Sequence, residues 1–136
     1  MLWKSSYATG IDEIDRQNFE LIIRIGIMMH AVDNKAKLTQ LENFEELVKK
    51  YFDREQRLHN KNGYFDADKQ KNFHETYIRK LQHTKQHFVK TGITFENKQI
   101  FRTNAVELLQ NHILYHDKLF ALIHCNLRKN VNIHGM

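Results

Sequence analysis

Proline is absent from the 136 residues, and glycine occurs only five times. Without proline no helix has to kink at a missing amide donor. With few glycines, few places favour a tight left-handed turn, so long helices are expected. Cysteine occurs once, at Cys125. A single thiol excludes an internal disulfide framework and fits a reducing compartment. Set in an apolar run, Cys125 reads as a small core residue. No apolar run reaches the roughly 20 residues of a membrane span, and the first residues lack the pattern of a signal peptide. A soluble, cytoplasmic protein without a membrane partner is expected. A basic block is also missing. The formal charge is +5, but Lys and Arg are interleaved with Asp, Glu and Asn. Such a dispersed excess marks a solvated surface rather than a nucleic-acid footprint.

What is present is helical periodicity. Hydrophobic residues make up 41% of the chain, enough for a packed core in a single domain over residues 1–136. The spacing predicts a first helix from Asp12 to Ala31, with Ile14, Leu21, Ile22, Ile25, Met28, Met29 and Val32 on its apolar stripe. The segment "DNKAKL" breaks that pattern. A second helix is expected from Thr39, which stands at capping-box spacing from Glu42. Its stripe runs through Leu41, Phe44, Leu47, Val48, Tyr51, Glu55 and Leu58, and Gly63 is a suitable stop. Asp66 is placed to cap a third helix carrying Gln70, His74, Tyr77, Leu81 and Phe88, ended by Gly92. A fourth starts near Thr94 or Glu96 and runs to about Arg128, with Phe101, Ala105, Leu108, His112, His116, Leu119 and Ile123 on its stripe. Four amphipathic helices with short connections imply an all-α fold, an antiparallel up-down-up-down four-helix bundle. The first eleven residues, with Trp3 and Tyr7, read as an N-terminal arm packed across it.

Each stripe carries polar residues. They are Asn18 on the first helix, Glu55 with Tyr51 and His59 a turn to either side on the second, Gln70 and His74 on the third, and His112 and His116 on the fourth, with Asp117 adjacent. Burying ionisable groups is costly unless they are paired or hold a metal. Bundle cores build metal sites from inward carboxylates and histidines. His112 and Asp117 are five residues apart, about 140° on a regular helix wheel. By that geometry Asp117 faces solvent and His116 the core. The two residues share a site only if Asp117 reaches in from the flank or the helix widens into a π-bulge. His83 and His87 lie opposite His74 on the wheel and read as surface residues, and His124 and His134 lie near the C-terminal end.

The segments "TGIDEIDRQN" (9–18), "YFDREQ" (51–56), "NGYFDADKQKNFH" (62–74) and "NHILYHDK" (111–118) resemble the hemerythrin family, most closely its bacterial single-domain members. The likeness covers nearly the whole chain. It implies the hemerythrin-like form of the bundle. That family holds two non-haem irons with five histidines and two bridging carboxylates, and it carries or senses oxygen. Carried over by position, the resemblance makes Glu55 and Asp117 the bridging pair, and so places Asp117 in the site. It makes His74 and His112 two of the three histidines of one iron, the third falling on Gln70. The two histidines of the other iron fall on Asn18 and Tyr51. Asparagine ligates weakly, and tyrosine must first lose a proton with a pKa of about 10.

The resulting expectation is a metal-binding protein with an altered, mononuclear site for iron or another divalent ion. Glu55, His74, His112 and Asp117 form its ligand set, and His59, Gln70, Tyr51 and Asn18 are further or substituted ligands. Dioxygen or another small molecule would be its partner, although the ligand losses disfavour normal oxygen carriage. Two alternatives stand beside it. One is a metal-free binding or signalling module in which these residues form a buried polar network. The other is a di-iron oxygen-binding protein despite the substitutions. An enzymatic role ranks behind these, since no residue pattern identifies an organic substrate or a dedicated general base.

Overall fold

The computed structural model describes residues 3–30, 34–92 and 94–123. Among these residues there are four long helical rods and no strand. Helix α1 spans Asp12–His30, α2 spans Asn34–Lys61 and α3 spans Ala67–Thr91. The fourth rod is composite. An α segment, Phe95–Phe101, leads into a π-helical segment, Arg102–Glu107. A short α segment, Leu108–Asn111, leads into a second π segment, His112–Asp117, and helix continues through residue 123. Helix α1 packs on α2, α2 on α3, and α3 on the fourth rod. The expected helical bundle is present.

The helix ends follow local chemistry. Gly63, at φ +60°, and Gly92, at φ +75°, take the left-handed backbone that stops α2 and α3. The Thr94 side chain accepts a hydrogen bond from the Asn97 amide and caps the fourth rod. Before α1, the Asp15 carboxylate accepts from the Thr9 amide and hydroxyl and from the Gly10 amide. Asp15 thereby ties the entering chain to the first helix. Beyond that tie, Tyr7 is buried in the main core, and Trp3 packs edge-on against both Tyr7 and Phe19.

Four expectations are corrected. Helix α2 starts at Asn34, so Thr39 lies inside it rather than at a cap. "NKAKL" interrupts the apolar period, but after Asn34 it is made of strong helix formers, and nothing in it breaks a helix. Asp66 precedes α3 without capping an amide; its carboxylate instead accepts from the Gln70 side chain at 3.3 Å. Met29 is exposed, because the buried arc of α1 is narrower than its apolar arc. On the fourth rod Leu109 is buried where Leu108 was expected, and Phe120 and Ala121 are buried where Leu119 was expected. Each π turn inserts one residue and rotates everything after it. The described part of helix α1 ends at His30; Ala31, Val32, His124, Cys125, Arg128 and His134 lie outside the described residues.

The main core joins Leu21 and Ile25 to Phe44 and Val48, to Tyr77 and Leu81, and to Leu109 and Ile113. Each such side chain contributes about 1.5–3 kcal/mol on burial. The Tyr77 hydroxyl donates to the Ala105 carbonyl at 2.7 Å, giving a side-chain partner to backbone in the first widened segment. Ile14, Tyr64 and Phe120 form a smaller cluster. The shifted stripe is testable by urea denaturation. Phe120→Ala should cost about 3–5 kcal/mol and Leu119→Ala less than about 1 kcal/mol. A regular helix from His112 onward would reverse that order.

Candidate metal centre

Helix α2 supplies Glu55 and, one turn later, His59. Helix α3 supplies His74, and the fourth rod supplies His112 and Asp117. All five are buried. The three histidines converge on one atom, the Glu55 Oε1. Their Nε2 atoms lie 3.1 Å (His112), 3.6 Å (His59) and 3.8 Å (His74) from it. Asp117 Oδ1 lies 3.1 Å from His112 Nε2. The second π segment creates this last proximity. In a π turn the backbone repeats at i→i+5, so the five-residue step from His112 returns to nearly the same face. Asp117 is therefore fully enclosed and His116 only half-buried, the reverse of what a regular helix wheel predicts.

The other expected residues divide into two groups. Asn18 joins the centre, its amide donating to Asp117 Oδ2 at 2.8 Å. Gln70 and Tyr51 are committed to other partners. The Gln70 side-chain amide lies 3.3 Å from Asp66 and 3.0 Å from His116 Nδ1. The Tyr51 hydroxyl donates to Glu20. Burial and that carboxylate push the Tyr51 phenol up to about 12, which disfavours a phenolate ligand. His83 and His87 pair with each other through Nε2 atoms 3.0 Å apart, on the outside of α3 as expected.

The aromatic walls are the part the sequence reading missed. Phe52 stacks on His74 at 4.1 Å, and Phe73 stacks on His112 at 4.6 Å. Tyr64 and Phe120 flank His59 at 5.0 and 4.5 Å. None of these aromatics falls on the apolar stripes expected from the sequence. Their neighbourhood to the histidines in sequence, Phe73 beside His74 above all, was the available signal.

Charge in this enclosure is set by proximity. Burial alone would lower the His112 pKa, but Asp117 and Glu55 outweigh it and raise it to about 10. Burial would raise Glu55, yet His112 beside it holds it well below the usual carboxylate range. Burial and the ionised Glu55 push Asp117 up to about 7. Two carboxylates facing one imidazolium thus divide into one ionised and one proton-holding member. His59 is lowered to about 4 and His74 is also lowered, both chiefly by burial, so both are neutral near pH 7.

Several of these atoms lack a hydrogen-bond partner: both ring nitrogens of His59, His74 Nε2 and Asp117 Oδ1. Leaving such groups buried and unsatisfied costs about 1–3 kcal/mol each. A metal ion would satisfy His59 Nε2, His74 Nε2 and Asp117 Oδ1. Ligands about 2.1 Å from a shared ion stand roughly 3.0–3.4 Å apart in octahedral or tetrahedral geometry. The observed 3.1–3.8 Å separations fall close to that after small adjustments. Ligand atoms of Glu55, His74 and His112 all lie within 4.8 Å of one another. No protein-family model, curated protein or solved structure matches the chain.

The His112 pKa fixes a pH dependence for metal-free protein. Its folded value, about 10, lies above the ordinary 6.5. The stability it contributes is full below pH 6.5 and is lost as pH rises through 10. Asp117 opposes it, but its penalty is complete above about pH 7. Between pH 7 and 10 the unfolding free energy of chelated protein should therefore fall. His112→Gln should be less stable at pH 7 and should lack that slope. Parallel pH profiles for the two proteins would refute the assignment.

Proposed function

We propose that the protein is a hemerythrin-like, cytoplasmic metal-binding protein whose bundle runs antiparallel, up-down-up-down, and holds one divalent ion, iron foremost. The observation that carries this reading is the convergence of three imidazole nitrogens on Glu55 Oε1, two of them neutral and without hydrogen bonds. Glu55, His74 and His112 form the primary set, a two-histidine, one-carboxylate arrangement suited to non-haem iron. His59 adds a third imidazole and Asp117 a second carboxylate. Asn18 orients Asp117 through its hydrogen bond. Phe52 and Phe73 fix the His74 and His112 rings by stacking and keep the surroundings apolar. A bound ion of this kind supplies Lewis acidity and, where a position stays open, a place for a small ligand to exchange.

The chemistry of the donor set argues for one ion rather than two. The Asn18 amide donates to Asp117, and the Tyr51 hydroxyl donates to Glu20. Both positions that the family resemblance assigns to a second iron are thus engaged as hydrogen-bond donors. Reversible oxygen carriage, which in that family uses both irons, is not part of this reading.

One observation favours a metal-free alternative. The Glu55, His112 and Asp117 group is already a charge-balanced network, closed by Asn18. It leaves His59 and His74 Nε2 unsatisfied, and for that reason it ranks second.

The two readings separate in a titration with cobalt(II) followed by its visible absorption. His112 must give up its proton to ligate, so apparent affinity should rise about tenfold per pH unit between pH 7 and 9. His74→Ala/His112→Ala should abolish tight binding. His59→Ala should weaken it by about 10- to 100-fold, and Tyr51→Phe should leave it unchanged. Unaltered binding in the double variant would overturn the proposal. So would a large loss in Tyr51→Phe.

A further inference from the structure

A cavity of about 540 Å³ shares no residue with the metal centre. It lies where the end of α1, the start of α2, the end of α3 and the first turns of the fourth rod come together with the N-terminal segment. Its walls are of two kinds. Tyr7, Met28, Phe88 and Phe101 give it an apolar floor, all of them part of the main core or packed against it. Lys4, Lys37, Lys98 and Arg102 give it a cationic rim, opposed among the described residues by one carboxylate, Glu107. These cations come from three separate parts of the chain, although nothing in their sequence spacing groups them. Among the described residues none of the four is in an ion pair; Lys37 donates only to the Met29 carbonyl, at 3.4 Å.

A volume in the range of about 300–1,000 Å³, an apolar lining and a few charged groups are the features of a small-molecule site. The sign and placement of the charges narrow the ligand. Among the described residues, four cations against one carboxylate select an anion, and charge-assisted hydrogen bonds from Lys and Arg suit a carboxylate or phosphate head. The apolar floor requires the rest of the molecule to be hydrocarbon or aromatic. We propose that this cavity binds one amphipathic monocarboxylate, its apolar tail on Tyr7, Met28, Phe88 and Phe101 and its carboxylate among Lys98, Arg102, Lys4 and Lys37. The opposing Glu107 carboxylate disfavours a head group of higher negative charge.

The chain carries its own reporter. Trp3, the single tryptophan, packs edge-on against Tyr7 at 5.7 Å, and Tyr7 lines the cavity. Dodecanoate, dodecanol and dodecyltrimethylammonium should each be titrated into the full-length protein below their micellar concentrations, with tryptophan emission and calorimetry as readouts. Dodecanoate is expected to saturate at one per chain, at least tenfold tighter than dodecanol, with the cationic analogue weaker still. Lys98→Gln/Arg102→Gln changes two exposed side chains, so the fold should persist, as circular dichroism will check. It should weaken dodecanoate at least tenfold and leave dodecanol unchanged. Equal affinity for the three amphiphiles, binding of many per chain, or an unaffected double variant would each overturn the proposal. Metal content plays no part in these readouts, so failure at the metal centre would not imitate failure here.

Discussion

One carboxylate oxygen organises the interior of this protein. Glu55 Oε1 sits in an apolar bundle with imidazoles from α2, α3 and the fourth rod turned toward it. A charge in that position is tolerable only if it is paired or coordinated. His112 pairs with it, and that pairing makes a protonated imidazole and an ionised carboxylate the stable combination in the core. The remaining arrangement answers the same requirement. Asp117 shares the imidazolium, Asn18 holds Asp117, and stacked phenyl rings hold His74 and His112 in place.

The second π segment is the backbone counterpart of that electrostatic demand. A regular helix would carry Asp117 to the surface and leave Glu55 and His112 as a simple pair. Widening by one residue brings Asp117 inside and shifts Phe120 onto His59. Widened turns are rare beside regular α-helix and are found frequently at functional sites. Two of them in one rod therefore point to the fourth helix as the element shaped most strongly by function. The Tyr77 hydroxyl on the Ala105 carbonyl stabilises the first.

Much of this was legible in sequence, and the failures have physical causes. The four helices, the glycine stops and the buried polar residues follow from period, composition and the absence of proline. The apolar stripe of the fourth helix was misread after Ala105, because a wheel drawn at 3.6 residues per turn cannot register an inserted residue. The same wheel sent Asp117 outward; only the resemblance carried by "NHILYHDK" placed it in the site. Thr39 misled because a capping pattern inside a run of strong helix formers does not start a helix. Neither the partner of Tyr51 nor that of Gln70 could be read from spacing, since Glu20 and His116 reach them across the bundle from other helices. The cationic rim of the cavity was invisible for the same reason, its members being distant in the chain.

The central claim is that the convergence on Glu55 serves a single ion. Elemental analysis of untagged protein, produced with iron in the medium and quantified per chain, tests it most directly. The account predicts close to one metal ion per chain. A value near zero would make the cluster a hydrogen-bonded polar core. A value near two would mean that Asn18 and Tyr51 abandon Asp117 and Glu20 to serve a second ion, and either result would contradict the account.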